Sequence, residues 1–130
     1  MKIPENLKFA KTDEWVLVEG KVATVGVSDY AQGQLSDIVF VEVTAGVGET
    51  VKKDAVFGTL ESVKAAADVL LPVSGKVVAV NEDLSNTPEV VNSDPYGAAW
   101  LIKVEMSNPA ELDGLLDAKG YIQFCEERSH

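Results

Sequence analysis

Lys64 is the residue of this sequence best placed to do chemistry. It sits in "GTLESVKAAADVLLPVSG" (58–75), with Leu60 and Val63 before it and Val69, Leu70 and Leu71 after it. Two apolar runs of strand length around a short break predict a hairpin with the lysine at its turn. A primary amine there can be acylated, which removes its charge and leaves a stable amide. A residue that one enzyme must modify and several others must then visit belongs on such a turn, where the backbone is held and the side chain projects freely. The small Ala65, Ala66 and Ala67 keep the flank uncluttered. Most hairpin-tip lysines are plain solvated charges, so the local pattern alone does not separate a chemical handle from a solubility device.

Other chemistry is scarce. The one histidine is His130 at the extreme end, which leaves no material for His-based triads or His-ligated metal sites. The one cysteine, Cys125, cannot form an intrachain disulfide, and an inert, partly buried thiol is expected. No glycine-rich phosphate loop and no cysteine cluster occur, so the sequence offers no machinery for independent catalysis. The chain has 130 residues, 46% of them hydrophobic, which fits one domain (1–130) with a real core. Eleven Lys and Arg face 21 Asp and Glu, a formal charge of −10. That balance disfavours nucleic acid and anionic membrane as partners and favours basic docking faces. No apolar stretch is long enough to span a bilayer, and "MKIPENLKF" lacks signal- or transit-peptide character.

The elements that must position Lys64 read mostly as strands. "EWVLVEGKVATVGV" predicts a hairpin of Trp15–Val18 and Val22–Val27 split at "EGK". Ser28 caps a short helix over 29–35, on the apolar stripe Tyr30, Ala31 and Leu35. Strands follow at 37–43, Val56–Ser62, Ala66–Leu71, Lys76–Val80 and 99–106, with a short strand at Val90–Val91. "SDPYG" (93–97) predicts a loop around Tyr96 packing near the lysine hairpin. Ser107 or Asn108 and Pro109 open a C-terminal helix with Leu112, Leu115 and Leu116 on its apolar face. Gly120 breaks it before a second helix, and the helical region over 108–126 is expected to cover a sheet edge. Trp15 and Trp100 are expected in the core. A weak internal echo relates the segments starting at Gly48 and Gly75, each a glycine, a strand, a polar turn and a second strand.

These segments together resemble one family. "ESVKAAAD" (61–68) resembles the lipoylation motif of the glycine cleavage system H protein, with Glu61, Ser62, Val63 and Ala65 around Lys64 and Gly75 at the downstream spacing of lipoyl domains. "DEWV" (13–16), "KVATVGVSDYAQGQLSDIVFVEV" (21–43), "PVSGKVVAVNEDL" (72–84), "PEVVNSDPYG" (88–97), "WLIKVEM" (100–106) and "LLDAKGYIQF" (115–124) resemble it in the same order. The resemblance implies a mainly β, lipoyl-domain-like barrel-sandwich hybrid: two antiparallel sheets in a hammerhead, with a short helix and C-terminal helices. It implies lipoic acid bound as an amide to Lys64, and a non-catalytic, monomeric carrier. That carrier takes an aminomethyl group from the decarboxylase (P protein) to the aminomethyltransferase (T protein), and electrons to the dihydrolipoyl dehydrogenase (L protein). A lipoylating enzyme is a further implied partner. Thr12, Glu14 and Asp68 match cleft residues that contact the loaded arm, where a carboxylate such as Glu14 suits a protonated amine. For Glu14 the plainer alternative is an exposed strand-edge charge.

Other readings share parts of this pattern. A biotinyl domain would carry Met-Lys-Met, against Ser62-Val63-Lys64-Ala65 here; a 2-oxoacid dehydrogenase lipoyl domain would carry Asp-Lys-Ala and further domains. An H-like relay that donates lipoate to other enzymes shares every motif, and an unmodified β interaction module shares the fold. Where many members of the resembled family have His before "EW" this chain has Asp13, and where some have His it has Gln34, so no proton-handling role for those histidines operates here. A bacterial cytoplasm is expected, or the mitochondrial matrix in a eukaryote.

Overall fold

The computed structural model describes residues 1–128; Ser129 and His130, and with them the sole histidine, lie outside the described residues. In chain order the strands are β1 (Lys8–Phe9), β2 (Glu14–Glu19), β3 (Val22–Val27), β4 (Ile38–Val43), β5 (Thr50–Val51), β6 (Val56–Ser62), β7 (Ala66–Leu70), β8 (Gly75–Val80) and β9 (Ile102–Met106). The helices are α1 (Asp29–Leu35), α2 (Val90–Ser93) and α3 (Ala118–Arg128). One sheet runs β1-β2-β3-β9-β8-β5 and the other β4-β6-β7, antiparallel throughout and neither closed into a barrel. β7 is therefore an edge strand.

The β2–β3 hairpin closes at Glu19–Val22 with Gly20 at φ 65°, the positive φ that a two-residue hairpin loop asks of its first central residue when that residue is glycine. Between the sheets lies one core. Val16, Val25, Val77 and Val104 come to it from the larger sheet, and Val41, Phe57, Leu60 and Val69 from the smaller. A second cluster forms on the other face of β1 and β2, where Phe9, Trp15 and Tyr121 pack with Leu7, Ala118 and Cys125. The Phe9 and Tyr121 rings stack at 4.5 Å. Trp15 lies over Gly26, its cross-strand partner; a Cβ at Gly26 would stand 2.6 Å from the indole. The segment leading into α3 pairs with β1 through reciprocal Phe9–Leu116 bonds of 2.8 Å, so that edge is covered as expected.

Several expectations need correction. Val90–Val91 is helical, because the Ser93 and Asp94 amides donate back to the Glu89 and Val90 carbonyls; the internal echo fails there with it. The segment Pro109–Gly114 is a 3-10 turn rather than an α-helix. Gly120 lies inside α3: its amide donates to Asp117 Oδ1 (2.8 Å), so it belongs to a capped first turn and breaks nothing. The final strand begins at Ile102 rather than at 99. Trp15 is core, whereas Trp100 is half-buried, with Lys103 Nζ 5.1 Å from its ring centroid. Tyr96 packs toward the N-terminal end, against Phe9 and Trp15, and its hydroxyl bonds the Asp29 amide and the Lys2 carbonyl, not the lysine hairpin.

Candidate functional site

Lys64 is the middle residue of the three-residue connection (63–65) between β6 and β7, exposed together with Val63 and Ala65. The Ser62 amide donates to the Ala65 carbonyl at 2.7 Å. The Ser62 hydroxyl accepts from the Lys64 amide (3.2 Å) and the Ala65 amide (3.0 Å). This side-chain-to-backbone turn replaces the ladder bond that would otherwise close the loop. Neither Val63 nor Lys64 takes a positive φ, which explains how a β-branched residue and a lysine fill a turn without Gly or Asn. The Val63 amide donates to the Asp37 carbonyl at 3.1 Å, tying the tip to the loop before β4. That loop, in which Ser36 has φ 67°, is held by Asn92 of α2. The Asn92 Nδ2 donates to the Ser36 carbonyl (2.8 Å) and Gln32 Oε1 (2.9 Å), and its Oδ1 accepts from the Ile38 amide (2.9 Å).

The β6–β7 register pairs Leu60 with Ala67, so residues 65, 67 and 69 bond to β6 while the amides of Ala66, Asp68 and Leu70 face the free edge. That edge leads from Lys64 past the exposed Asp68 to Glu14. The Leu70 amide donates to Glu14 Oε2 at 3.1 Å, and the Thr12 hydroxyl donates to Oε1. From Lys64 to Asp68 is roughly 13 Å along the strand, and Leu70 lies two residues further. Glu14 is only 2% exposed, which overturns the reading of an exposed strand-edge charge. Burial pushes its carboxyl up to about 7, against the opposing pull of the Thr12 hydroxyl and the Leu70 amide. The carboxyl joins β2 of one sheet to the end of β7 in the other.

The predicted residues thus fall into two groups joined by one strand. Glu61, Ser62, Val63, Lys64 and Ala65 gather at the tip, Thr12 and Glu14 gather at Leu70, and Asp68 lies between. Gly75 joins neither. It is buried in β8, where a Cβ would run into the Glu105 carbonyl of β9, so this glycine serves strand packing. Sequence reasoning missed the Leu70 amide, the Asp37 carbonyl and Asn92; the signal for Asn92 was an Asn-Ser-Asp run directly after two valines. Asp13, at φ 82°, pairs with Arg128 and accepts from the Tyr121 hydroxyl (2.6 Å), so it latches α3.

Among the described residues Lys64 Nζ makes no ion pair and its surroundings are open, so an acyl group on the amine would displace nothing. No group of three or more His, Cys, Asp or Glu among them is placed to hold a metal ion, and no helix is long and apolar enough to cross a membrane.

Comparison with known proteins adds the following. A family model described as Glycine cleavage H-protein matches residues 7–128. A glycine cleavage system H protein of Symbiobacterium thermophilum is 50% identical over 125 residues, 96% of this chain and 97% of the relative. One from Bacteroides fragilis is 53% identical over 121 residues, 93% and 95% of the two chains. The crystal structure of a glycine cleavage system H protein from Mycobacterium marinum superposes with a TM-score of 0.84 at 31% identity, covering 98% of this chain and all of that one.

Proposed function

The chain belongs to the glycine cleavage H-protein family, the lipoyl carriers of the glycine cleavage system, and on that premise we propose that Lys64 is the residue that bears the lipoyl group. The observation that carries this is the exposed Lys64 amine, in no ion pair among the described residues, on a turn held by five hydrogen bonds. When attached, the lipoyl group supplies a redox-active disulfide and thiols able to carry a one-carbon amine between enzymes. This chain's own residues then have distinct tasks. Ser62 fixes the turn, Val63 and Ala65 leave the amine accessible, and Glu61 presents a carboxylate beside it to the lipoylating enzyme. Gly75 contributes through the packing of β8.

The free edge of β7 offers a track along the body of the protein. Asp68 lies on it, and Glu14 and Thr12 stand at its end. A cationic amine arriving there would find Glu14 half ionised near neutral pH and would draw it into the charged form. The protein itself performs no bond-making: 1–130 acts as one non-catalytic, monomeric domain that serves the P, T and L proteins by tethering, which keeps the carried group at high local concentration. We place it in a bacterial cytoplasm; the relatives reported above are bacterial, and nothing favours the mitochondrial alternative.

The test is the mass of the intact protein after incubation with a lipoylating enzyme, followed by mapping of the peptide containing Lys64. One lipoyl group on Lys64, with glycine cleavage on reconstitution with the P, T and L proteins, is the expected result. Modification elsewhere overturns the site. Lipoylation at Lys64 without glycine cleavage, but with passage of lipoate to other enzymes, overturns the carrier role in favour of a relay.

A further inference from the structure

We propose that Asn92 is a positioning residue for lipoylation: it sets the 36–38 loop so that the Asp37 carbonyl holds the Val63 amide, and thereby fixes the direction in which Lys64 leaves the hairpin. The inference rests on Lys64 as the attachment residue. It begins from how the tip is anchored. The bonds of Ser62, Lys64 and Ala65 lie within the turn itself. Beyond the β4–β6 ladder, which ends at the Ile38–Ser62 pair, the bond from Val63 to Asp37 is the one backbone tie from the turn to the rest of the protein among the described residues.

Asp37 cannot hold that position by itself. It follows Ser36, whose φ of 67° is uncommon for a residue with a side chain. Three groups around it converge on Asn92: the Ser36 carbonyl, the Ile38 amide and Gln32 Oε1, all at 2.8–2.9 Å. Asn92 therefore uses both its carbonyl and its amide on the residues that flank Asp37, reaching back 54–60 positions in sequence to do so. The amide of Ile38, the first residue of β4, is taken by Asn92 rather than by β6. The path from the Asn92 side chain to Lys64 is short: the flanks of Asp37, its carbonyl, the Val63 amide, and the next residue.

Positioning matters because acyl transfer requires the amine in attack geometry, and a misplacement of about 1 Å can cost on the order of a hundredfold in rate. The experiment uses the full-length protein. Asn92→Ala is compared with the parent in three measurements at a temperature where both are folded: hydrogen exchange of the Val63 amide, with Leu60 as internal reference; kcat and KM for a purified lipoylating enzyme with lipoate and ATP; and the rate at which N-hydroxysuccinimidyl acetate acetylates Lys64. The expected result is Val63 exchange about tenfold faster with Leu60 unchanged, kcat for lipoylation about tenfold lower with KM little changed, and unaltered chemical acetylation, which has no orientation requirement. A merely structural Asn92 would move Leu60 and Val63 together and lower lipoylation only by the unfolded fraction, which overturns the proposal; so does a variant indistinguishable from the parent. Where Asn92→Ala does not fold, Asn92→Asp, which keeps the acceptor for Ile38 and loses both donors, carries the same test. A parent not lipoylated at Lys64 would sink the attachment residue, while the Val63 exchange would still decide whether Asn92 holds the turn.

Discussion

The two ends of β7 are built on opposite rules. At the Lys64 end nearly everything is exposed, and order comes from hydrogen bonds: Ser62 onto Lys64 and Ala65, and Val63 onto Asp37. At the Leu70 end a carboxyl is buried to 2% exposure, and order comes from packing between two sheets. The contrast teaches a division of labour. A group that several enzymes must reach needs a rigid backbone and a free side chain. A group that shelters a cation needs a desolvated side chain whose charge is latent. One strand, β7, joins the two ends.

The largest expected effect tests the exposed end. Lys64→Arg should abolish lipoylation outright, because arginine keeps the charge but offers no acylable primary amine. The melting temperature should stay unchanged, since an exposed turn with negative φ tolerates the swap. Residual lipoylation by intact mass would remove the assignment.

A converse result is expected beneath the buried end. Phe9→Ala removes a ring that is fully buried and stacked on Tyr121. It should cost roughly 3–5 kcal/mol in denaturant unfolding. Molecules that remain folded should be lipoylated at the parent rate, because the hairpin owes nothing to that cluster. A slowed rate in the folded fraction would show that the two ends are coupled.

Glu14 gives the next effect. Its carboxyl is raised to about 7 in the folded protein from 4.5 unfolded, so the native state holds its proton more tightly. Its contribution to stability is full below pH 4.5, declines as pH rises through about 7, and is gone above. The loss is up to about 3 kcal/mol. Glu14→Gln mimics the protonated form and should flatten this part of the profile. The difference between parent and variant in unfolding free energy from pH 4 to pH 8 isolates it from the other carboxylates. A constant difference would mean that the Glu14 carboxyl titrates alike in the folded and unfolded chain, so that burial does not raise it.

Smaller still is the effect of the Ser62 hydroxyl. Ser62→Ala should lose about 1 kcal/mol and slow lipoylation several-fold, with Ser62→Asn, whose side chain can accept from the same amides, restoring much of the rate. The smallest concerns Glu61, exposed beside the tip: Glu61→Ala should slow lipoylation a few-fold with no measurable change in stability. Equal rates would show that turn shape alone is read.

The sequence made the exposed end legible and left the buried end opaque, for a physical reason. The β6–β7 hairpin is local; its bounds, its lysine and its small flanking residues follow from a run of 15 positions. Glu14 sits in a stretch where residues 14, 15 and 16 are all buried, because β2 is covered on both faces, so alternation gives no warning. Its partner at Leu70 is 56 residues away. Val90–Val91 reads as a strand from its two β-branched residues, but the Ser93 and Asp94 amides close a helical turn onto the Glu89 and Val90 carbonyls, and Asn92 ties that turn to residues 54–60 positions away. Gly120 shows the limit of punctuation, since a capped first turn accommodates it without breaking α3.

The position of β7 at the margin of its sheet has a consequence for how copies of this protein meet one another. An unpaired strand margin, here with outward amides at Ala66 and Asp68, is a template for a second strand, and chains that leave one open risk adhesion. If a loaded arm runs along this edge, as proposed, covering it with a neighbouring strand would block the arm, which leaves protection to electrostatics. Asp68 stands in the middle of the five-residue strand, at position three of five. Two such strands joined antiparallel and fully overlapped would set one Asp68 against the other, within molecules that each carry a charge of −10. On the proposed function the carboxylate that would line the route for a visiting amine also opposes pairing of this edge, and Asp68→Val is the substitution expected to promote self-adhesion there.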